Sequence, residues 1–221
     1  MKRTLNRNLS ALLRLGIAAA IFFSIIYQIT DRVVNNVFRP FEYFSYFTIQ
    51  TGLITGTVLT IAGISALRHA EDSYRVTMLR LWVISYEVVV GIFYNVLLRD
   101  PASNPPDPRD VGYDWPVLPN EILHTWAPII LVVEWLIAGG KPAYAWKKVW
   151  WVIVYPLSWL GFSILRGMFA PDHWWAYWFL NPGENGEGVG NMVTYILMIA
   201  GTMLAFAYGF TAIRKALGRR G

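Results

Sequence analysis

One threonine and one histidine are the reactive pair that this chain sets into its apolar segments. His124 lies in Pro119-Asn120-Glu121-Ile122-Leu123-His124-Thr125-Trp126-Ala127-Pro128, directly before Ile129-Ile130-Leu131-Val132-Val133. An ionisable group a turn or so inside a membrane span is costly, and by default it marks function. Thr48 sits in a second apolar run, within Tyr46-Phe47-Thr48-Ile49-Gln50. A threonine hydroxyl is a poor nucleophile until a base takes its proton as it attacks, and a neutral imidazole nitrogen is such a base. The pair therefore reads as nucleophile and general base for acyl transfer. Arg166 or Asn95 would donate hydrogen bonds to the oxyanion. Glu121, three residues before His124 and on the same helix face, would orient the imidazole. Gln50 completes the polar set.

Each of these residues also has a structural reading. Thr48 precedes Gly52 and Gly56 at four-residue spacing, a small-residue stripe that lets helices approach closely. On that reading Thr48 packs, and the stripe serves contacts within one chain or between two. His124 would bond a backbone carbonyl. Glu121 would complement the positive end of its helix. Arg166 would reach for the lipid headgroups.

The elements that must position these groups follow from composition. The 221 residues are 55% hydrophobic and only 15% charged, too apolar for an ordinary soluble domain, and the apolar residues come in long blocks. A helix needs roughly 20 apolar residues to cross a bilayer. Six blocks qualify: Leu9 to Ile29, Phe41 to Leu67, Leu79 to Leu98, Ile122 to Ala138, Val149 to Met168 and Val189 to Ile213. The first is too long for a cleaved signal peptide and lacks its small-residue cleavage site. The expected fold is all-α, a single domain over 1–221 built as a bundle of six transmembrane helices.

Charge gives a direction. Lys2, Arg3, Arg7, Arg14, Arg68, Arg75, Arg80, Lys141, Lys147, Lys148, Arg214, Lys215, Arg219 and Arg220 fall on one set of flanks. Arg32, Arg39, Arg99, Arg109 and Arg166 fall on the other, with most of the acids. The positive-inside rule then places both termini in the cytoplasm. The net charge of +5 is membrane topology on this reading, so no nucleic-acid partner is expected. There is no cysteine, which excludes disulfides, thiolate catalysis and cysteine-ligated metals. His69, His124 and His173 lie in separate segments, so no metal and no cofactor is expected. The stretch from Asp100 to Pro119 reads as an irregular external loop. The segment from Ala170 to Asn191 carries Trp174, Trp175, Tyr177, Trp178 and Phe179, and reads as a cap on the bilayer or over the bundle mouth.

With this topology the polar residues share a depth. Thr48 lies roughly 10 Å in and His124 roughly 8 Å in, at about 1.5 Å per residue. Asn95 and Arg166 fall within about one or two turns of the same surface. Glu87 and Glu134 lie in the inner half of the third and fourth spans. Glu87 is deep enough to need a partner, and Arg80 or Lys148 would pair with one of the two acids. A pair of buried acids also fits a proton-coupled transporter, although the halves show no internal symmetry and no pair of broken helices.

The segments Phe44-Ser45-Tyr46-Phe47-Thr48-Ile49-Gln50, Tyr94-Asn95-Val96-Leu97-Leu98, Leu123-His124-Thr125 followed by Pro128, and Gly167-Met168 leading to Tyr177-Trp178-Phe179-Leu180 resemble one family. It is the androgen-induced gene 1 and androgen-dependent TFPI-regulating protein family, in particular its bacterial six-span branch. The resemblance implies a threonine hydrolase of the bacterial plasma membrane. The animal members cleave fatty acid esters of hydroxy fatty acids with one threonine and one histidine. Carried over by motif, Thr48 is the nucleophile and His124 the base, with Ser45 and Thr51 as the neighbouring hydroxyls. The implied partners are membrane lipids and a lipid-ester substrate. A lipid-binding protein without chemistry is the alternative, followed by the transporter.

Overall fold

The computed structural model describes residues 2–68, 72–100, 107–137, 145–183 and 188–218, with side chains from residue 7 to residue 216. His69, Ala138, Lys141, Glu184, Glu187, Arg219 and Arg220 lie outside the described residues, as do the side chains of Lys2 and Arg3. The described residues are helical, with no strand among them. Six helices are long and apolar enough to cross a membrane. They are α1 (Lys2–Val34), α2 (Phe47–Arg68), α3 (Tyr74–Leu98), α4 (Val117–Ile137), α5 (Trp146–Phe169) and α6 (Val189–Gly218).

The six helices match the six apolar blocks, but several start elsewhere. α4 begins at Val117, not Ile122, because Pro119 fits a first helical turn, where its missing N–H costs nothing. α3 begins at Tyr74, where Ser73 caps it by accepting from the Val76 amide at 3.3 Å. The second block splits into a turn at Pro40–Tyr43 and a helix that starts only at Phe47. Thr48 is thereby in the first turn of α2.

α1 to α4 form a tight block. Small residues on α2 let α1 lie against its backbone: a Cβ on Gly56 would stand 2.7 Å from the Phe22 ring. The Gly52 and Gly56 stripe thus serves packing within the chain. Toward the end where the chain begins, the block is tied by a buried ring of charge. Arg14 of α1 grips Asp72 through two bonds of 2.8 Å and Glu134 of α4 at 2.6 Å. Arg80 of α3 reaches the same two acids at 2.5 Å each. All four side chains are almost fully buried. Beside them Arg214 of α6 donates to the Trp135 carbonyl at 2.8 Å and lies over the Trp135 ring.

α5 and α6 form a looser wall. α5 meets α2 through large aromatic side chains: Trp159 donates to the Ser45 carbonyl at 2.9 Å, and its ring packs on Phe47. At the opposite end of the bundle from the buried ring, the segment after α5 folds inward. Trp174 and Tyr177 pack edge-on against Tyr46, and Phe179 and Leu180 are buried. A Cβ on Gly167 would collide with the Trp175 ring at 2.5 Å, so only glycine leaves room for this cap. Of the two positions considered for the aromatic segment, it takes the one over the bundle mouth.

Candidate active site

Two prolines shape the backbone around the site. Pro128 has no N–H to offer the His124 carbonyl four residues earlier, so the helix ladder slips. Ile122–Trp126 forms a π-helical turn, with the Ala127 amide bonded to the Ile122 carbonyl. The freed His124 carbonyl instead accepts from the Asn95 side chain at 3.3 Å. On the facing helix Tyr94–Leu98 is also a π-helical turn. Such single π turns recur at functional sites, because they re-aim side chains out of α register. Gly91 lets the two helices touch here: a Cβ on it would meet the His124 carbonyl at 3.2 Å and Pro128 at 3.0 Å. Pro156 acts similarly in α5, where its missing N–H leaves the Val152 carbonyl to accept from the Tyr86 hydroxyl at 3.0 Å.

His124 is half-buried, and its imidazole is held on two sides. Nδ1 lies 2.9 Å from the Asn120 carbonyl oxygen. A carbonyl only accepts, so Nδ1 carries the proton and Nε2 keeps its lone pair. The ring face stacks on Tyr94, centroid to centroid 4.0 Å, at 23°. Asn120 ties this pair together by donating to the Tyr94 hydroxyl at 2.6 Å. The arrangement gives a neutral, oriented imidazole with one basic nitrogen.

Thr48 is buried and faces an apolar cleft between the block and the wall. The room within it is narrow, about 90 Å³, and it is open on one side. Its lining comes from α2, α3, α5, the cap and α6, and includes Phe47, Val90, Leu157, Phe179, Ile199 and Met203. The polar exceptions among the side chains on this wall are Thr48, Tyr94, Tyr177 and the indole of Trp159. Burial pushes the Tyr177 phenol up, and its approach to the Thr48 side chain and to the amides of Phe47 and Thr48 opposes that push. Those amides belong to the first turn of α2, where the helix supplies no acceptor.

The structure brings some of the sequence candidates together and separates others. Tyr94 is the common neighbour: it lines the cleft with Thr48 and carries the His124 ring on its face. Among the described residues no hydrogen bond joins Thr48 to His124. Asn95 sits at the site, bonded to the Gly91 and His124 carbonyls, and accepts from Arg99. Glu121 pairs with Arg99, while the Asn120 carbonyl holds the imidazole. Gln50 turns toward α5, accepting from the Tyr155 hydroxyl at 2.8 Å and donating to the Phe44 carbonyl. Arg166 is bound to Asp172 and the Trp174 carbonyl, and lines a different, wider groove with Phe41 and Glu42. The roles of Tyr94 at the imidazole and of Asn120 escaped the sequence reading. The signal for both was the Pro128 that forces the π turn, which shifts the register by which i, i+3 neighbours are counted.

The two inner acids have different surroundings. Glu134 is in the buried ring with Arg80, one of the pairings expected. Glu87 accepts from the Thr55 hydroxyl at 2.8 Å, and Thr51 stands beside it. No group of three metal-ligating side chains occurs among the described residues. Comparison with protein-family models, with curated proteins and with solved structures finds no match to this chain.

Proposed function

We propose that the protein is an intramembrane hydrolase of lipid esters, with Thr48 as nucleophile and His124 as general base. The observation that carries this reading is a cleft lined by hydrocarbon, with a hydroxyl in its wall and an oriented imidazole stacked on Tyr94, which lines the same cleft. The acyl chain lies along the cleft and its binding holds the ester carbonyl near Thr48. Tyr94 swings aside as the ester arrives, and His124 Nε2 then reaches the Thr48 hydroxyl. Catalytic hydrogen bonds are often loose or unmade until substrate is bound.

The chemistry balances in two steps. Thr48 Oγ1 attacks the carbonyl carbon while Nε2 takes its proton. The carbonyl oxygen becomes an oxyanion, for which the Tyr177 hydroxyl and the first-turn amides of α2 are the nearby donors. The C–O bond to the alcohol breaks, and the alcohol leaves with the proton from the imidazolium. Water then attacks the acyl-threonine, again giving a proton to Nε2, and the carboxylic acid is released. The Asn120 carbonyl keeps the imidazole in one tautomer throughout, the orienting role a carboxylate plays in serine triads.

The residue motifs shared with the androgen-induced gene 1 family support the same assignment. With both termini in the cytoplasm, as the flanking charges favour, the site lies in the outer leaflet of a bacterial plasma membrane. Purified protein turns over a long-chain lipid ester on this proposal, and Thr48→Ala and His124→Ala each lower turnover by at least a thousandfold. Trapped acyl-enzyme adds the mass of one acyl group at Thr48. Wild-type turnover in Thr48→Ala removes the nucleophile and the proposal with it. A second reading, lipid binding without chemistry, is favoured by Tyr94 standing against the imidazole. It keeps lipid bound in both variants and shows no turnover in wild type.

A further inference from the structure

α5 and α6 both line the cleft, yet they are joined only at their ends. At one end Trp146, the first residue of α5, stacks on Tyr208 of α6, and Lys215 lies 4.0 Å from the same indole ring. At the other end Trp178 and Phe179 of the cap pack on Tyr195 of α6, at 5.4 and 5.2 Å. Between these ties no hydrogen bond or ring pair links residues 150–169 of α5 to residues 192–207 of α6. Gly201 lies on the open face of α6, where a Cβ would meet nothing within 4 Å. Leu157 lines the cleft and is also 49% exposed, so the cleft reaches the outer surface at α5.

Other sides of the cleft are packed. Phe47, Tyr155 and Trp159 seal α5 to α2, and the buried face of α3 packs against α6. The cap roofs it with Tyr177, Phe179 and Leu180. Leu157 lies twelve residues before the end of α5 and Ala200 eleven residues after the start of α6. Both are therefore roughly 17 Å from that end of the bundle, at about 1.5 Å per residue. That depth falls within the hydrocarbon of a bilayer about 30 Å thick. What stands outside the slit is acyl chain.

We infer that the slit between α5 and α6, at the level of Leu157 and Ala200, admits an acyl chain from the bilayer into the cleft. The occupant is the hydrocarbon tail of an amphiphile, such as a fatty acyl ester. Its polar end ranges up to Thr48 and Tyr177 and its methyl end lies toward Met203. The slit wall carries no polar side chain that must be desolvated, so the tail exchanges one apolar surround for another. This rests on the reading of the cleft as an acyl-chain site but not on hydrolysis.

The test uses the full-length protein in phosphatidylcholine vesicles that contain a fatty acyl ester with a diazirine in mid-chain. After illumination, the label concentrates on cleft-facing positions of 153–160 and 196–203 and is displaced by unlabelled long-chain ester. Ala200→Trp plugs the slit and lowers that labelling at least tenfold, and Ile196→Trp does the same as an independent plug. Gly201→Trp, one residue away on the open face, leaves it unchanged. Labelling in Thr48→Ala reads chain binding apart from turnover: persistence there, even with no hydrolysis in any variant, keeps the slit and removes only the hydrolase. Even labelling of all lipid-facing helices, or labelling that survives both plugs, overturns the inference.

Discussion

The block of α1 to α4 and the wall of α5 and α6 are built from similarly apolar sequence, yet they pack by opposite means. In α2 and α3 more than half of the spanning stretch is buried, 61% and 56%, against 17% and 22% in α5 and α6. The block closes through small residues, with Gly52, Gly56 and Gly91 letting backbones touch. The wall stands off on Trp159, Tyr155 and Phe47, whose rings act as spacers. A spacer leaves room beside it, and that room is the cleft. Thr48, Asn95, Tyr94 and His124 all belong to the rigid block, while the wall contributes hydrocarbon surface. On the proposed mechanism, precision is kept for the reacting groups and compliance for the acyl chain.

The largest effect expected from breaking this contrast is in the buried ring. Arg80→Met removes one of the two arginines bonded to Asp72 and Glu134, which keep their bonds to Arg14. Removing one partner from a buried ionic cluster costs about 3–5 kcal/mol, because a buried charge is left uncompensated. The variant should melt well below wild type in detergent micelles. An unchanged Tm would mean that the ring does not hold the block together.

A substitution in the wall should instead alter selectivity. Met203 is buried at the deep end of the cleft. Met203→Trp shortens the space for the chain. Excluding two methylenes costs about 1.6 kcal/mol, roughly a fifteenfold fall in kcat/KM, at about 0.8 kcal/mol each. Long-chain esters should suffer that loss while short-chain esters keep wild-type rates. Equal losses across chain lengths would place the chain elsewhere.

The same contrast explains what could be read from the sequence. Six helices long and apolar enough to span were legible because hydrocarbon thickness demands a long apolar run. The Gly56 stripe and the pairing of Arg80 with Glu134 were legible as possibilities, since small residues and opposite charges each narrow their partners. The slip at Pro128 was not read, although the proline was in view. It turns Asn120, not Glu121, toward the imidazole. Arg166 lines a separate groove with Phe41 and Glu42, which depth along a helix could not show, since it says nothing of azimuth. The cleft itself had no local signature, because it is a space left by aromatic spacers on two helices far apart in sequence.

The smallest expected effect lies at the end of the bundle opposite the buried ring, at the partly exposed rim of a second charge cluster. Arg109 grips Asp107 at 2.5 Å and Glu42 at 2.9 Å, and Arg39 bridges Glu42 and Asp110. The Arg109 side chain holds the Asp107 carboxyl below the ordinary carboxylate range. A carboxyl depressed in the folded state stabilises the fold above its unfolded pKa, about 3.9. That contribution is lost as pH falls through the lower, folded value. Asp107 is partly exposed and Arg109 more so, and solvent screening limits the contribution to less than about 1 kcal/mol. Between pH 6 and pH 3 the wild type should lose slightly more Tm than Asp107→Asn, and added salt should shrink the difference. If the two proteins lose the same Tm, the Asp107 carboxylate contributes nothing to stability. The contrast between the dry ring and this partly exposed pair would then be sharper than the distances alone imply.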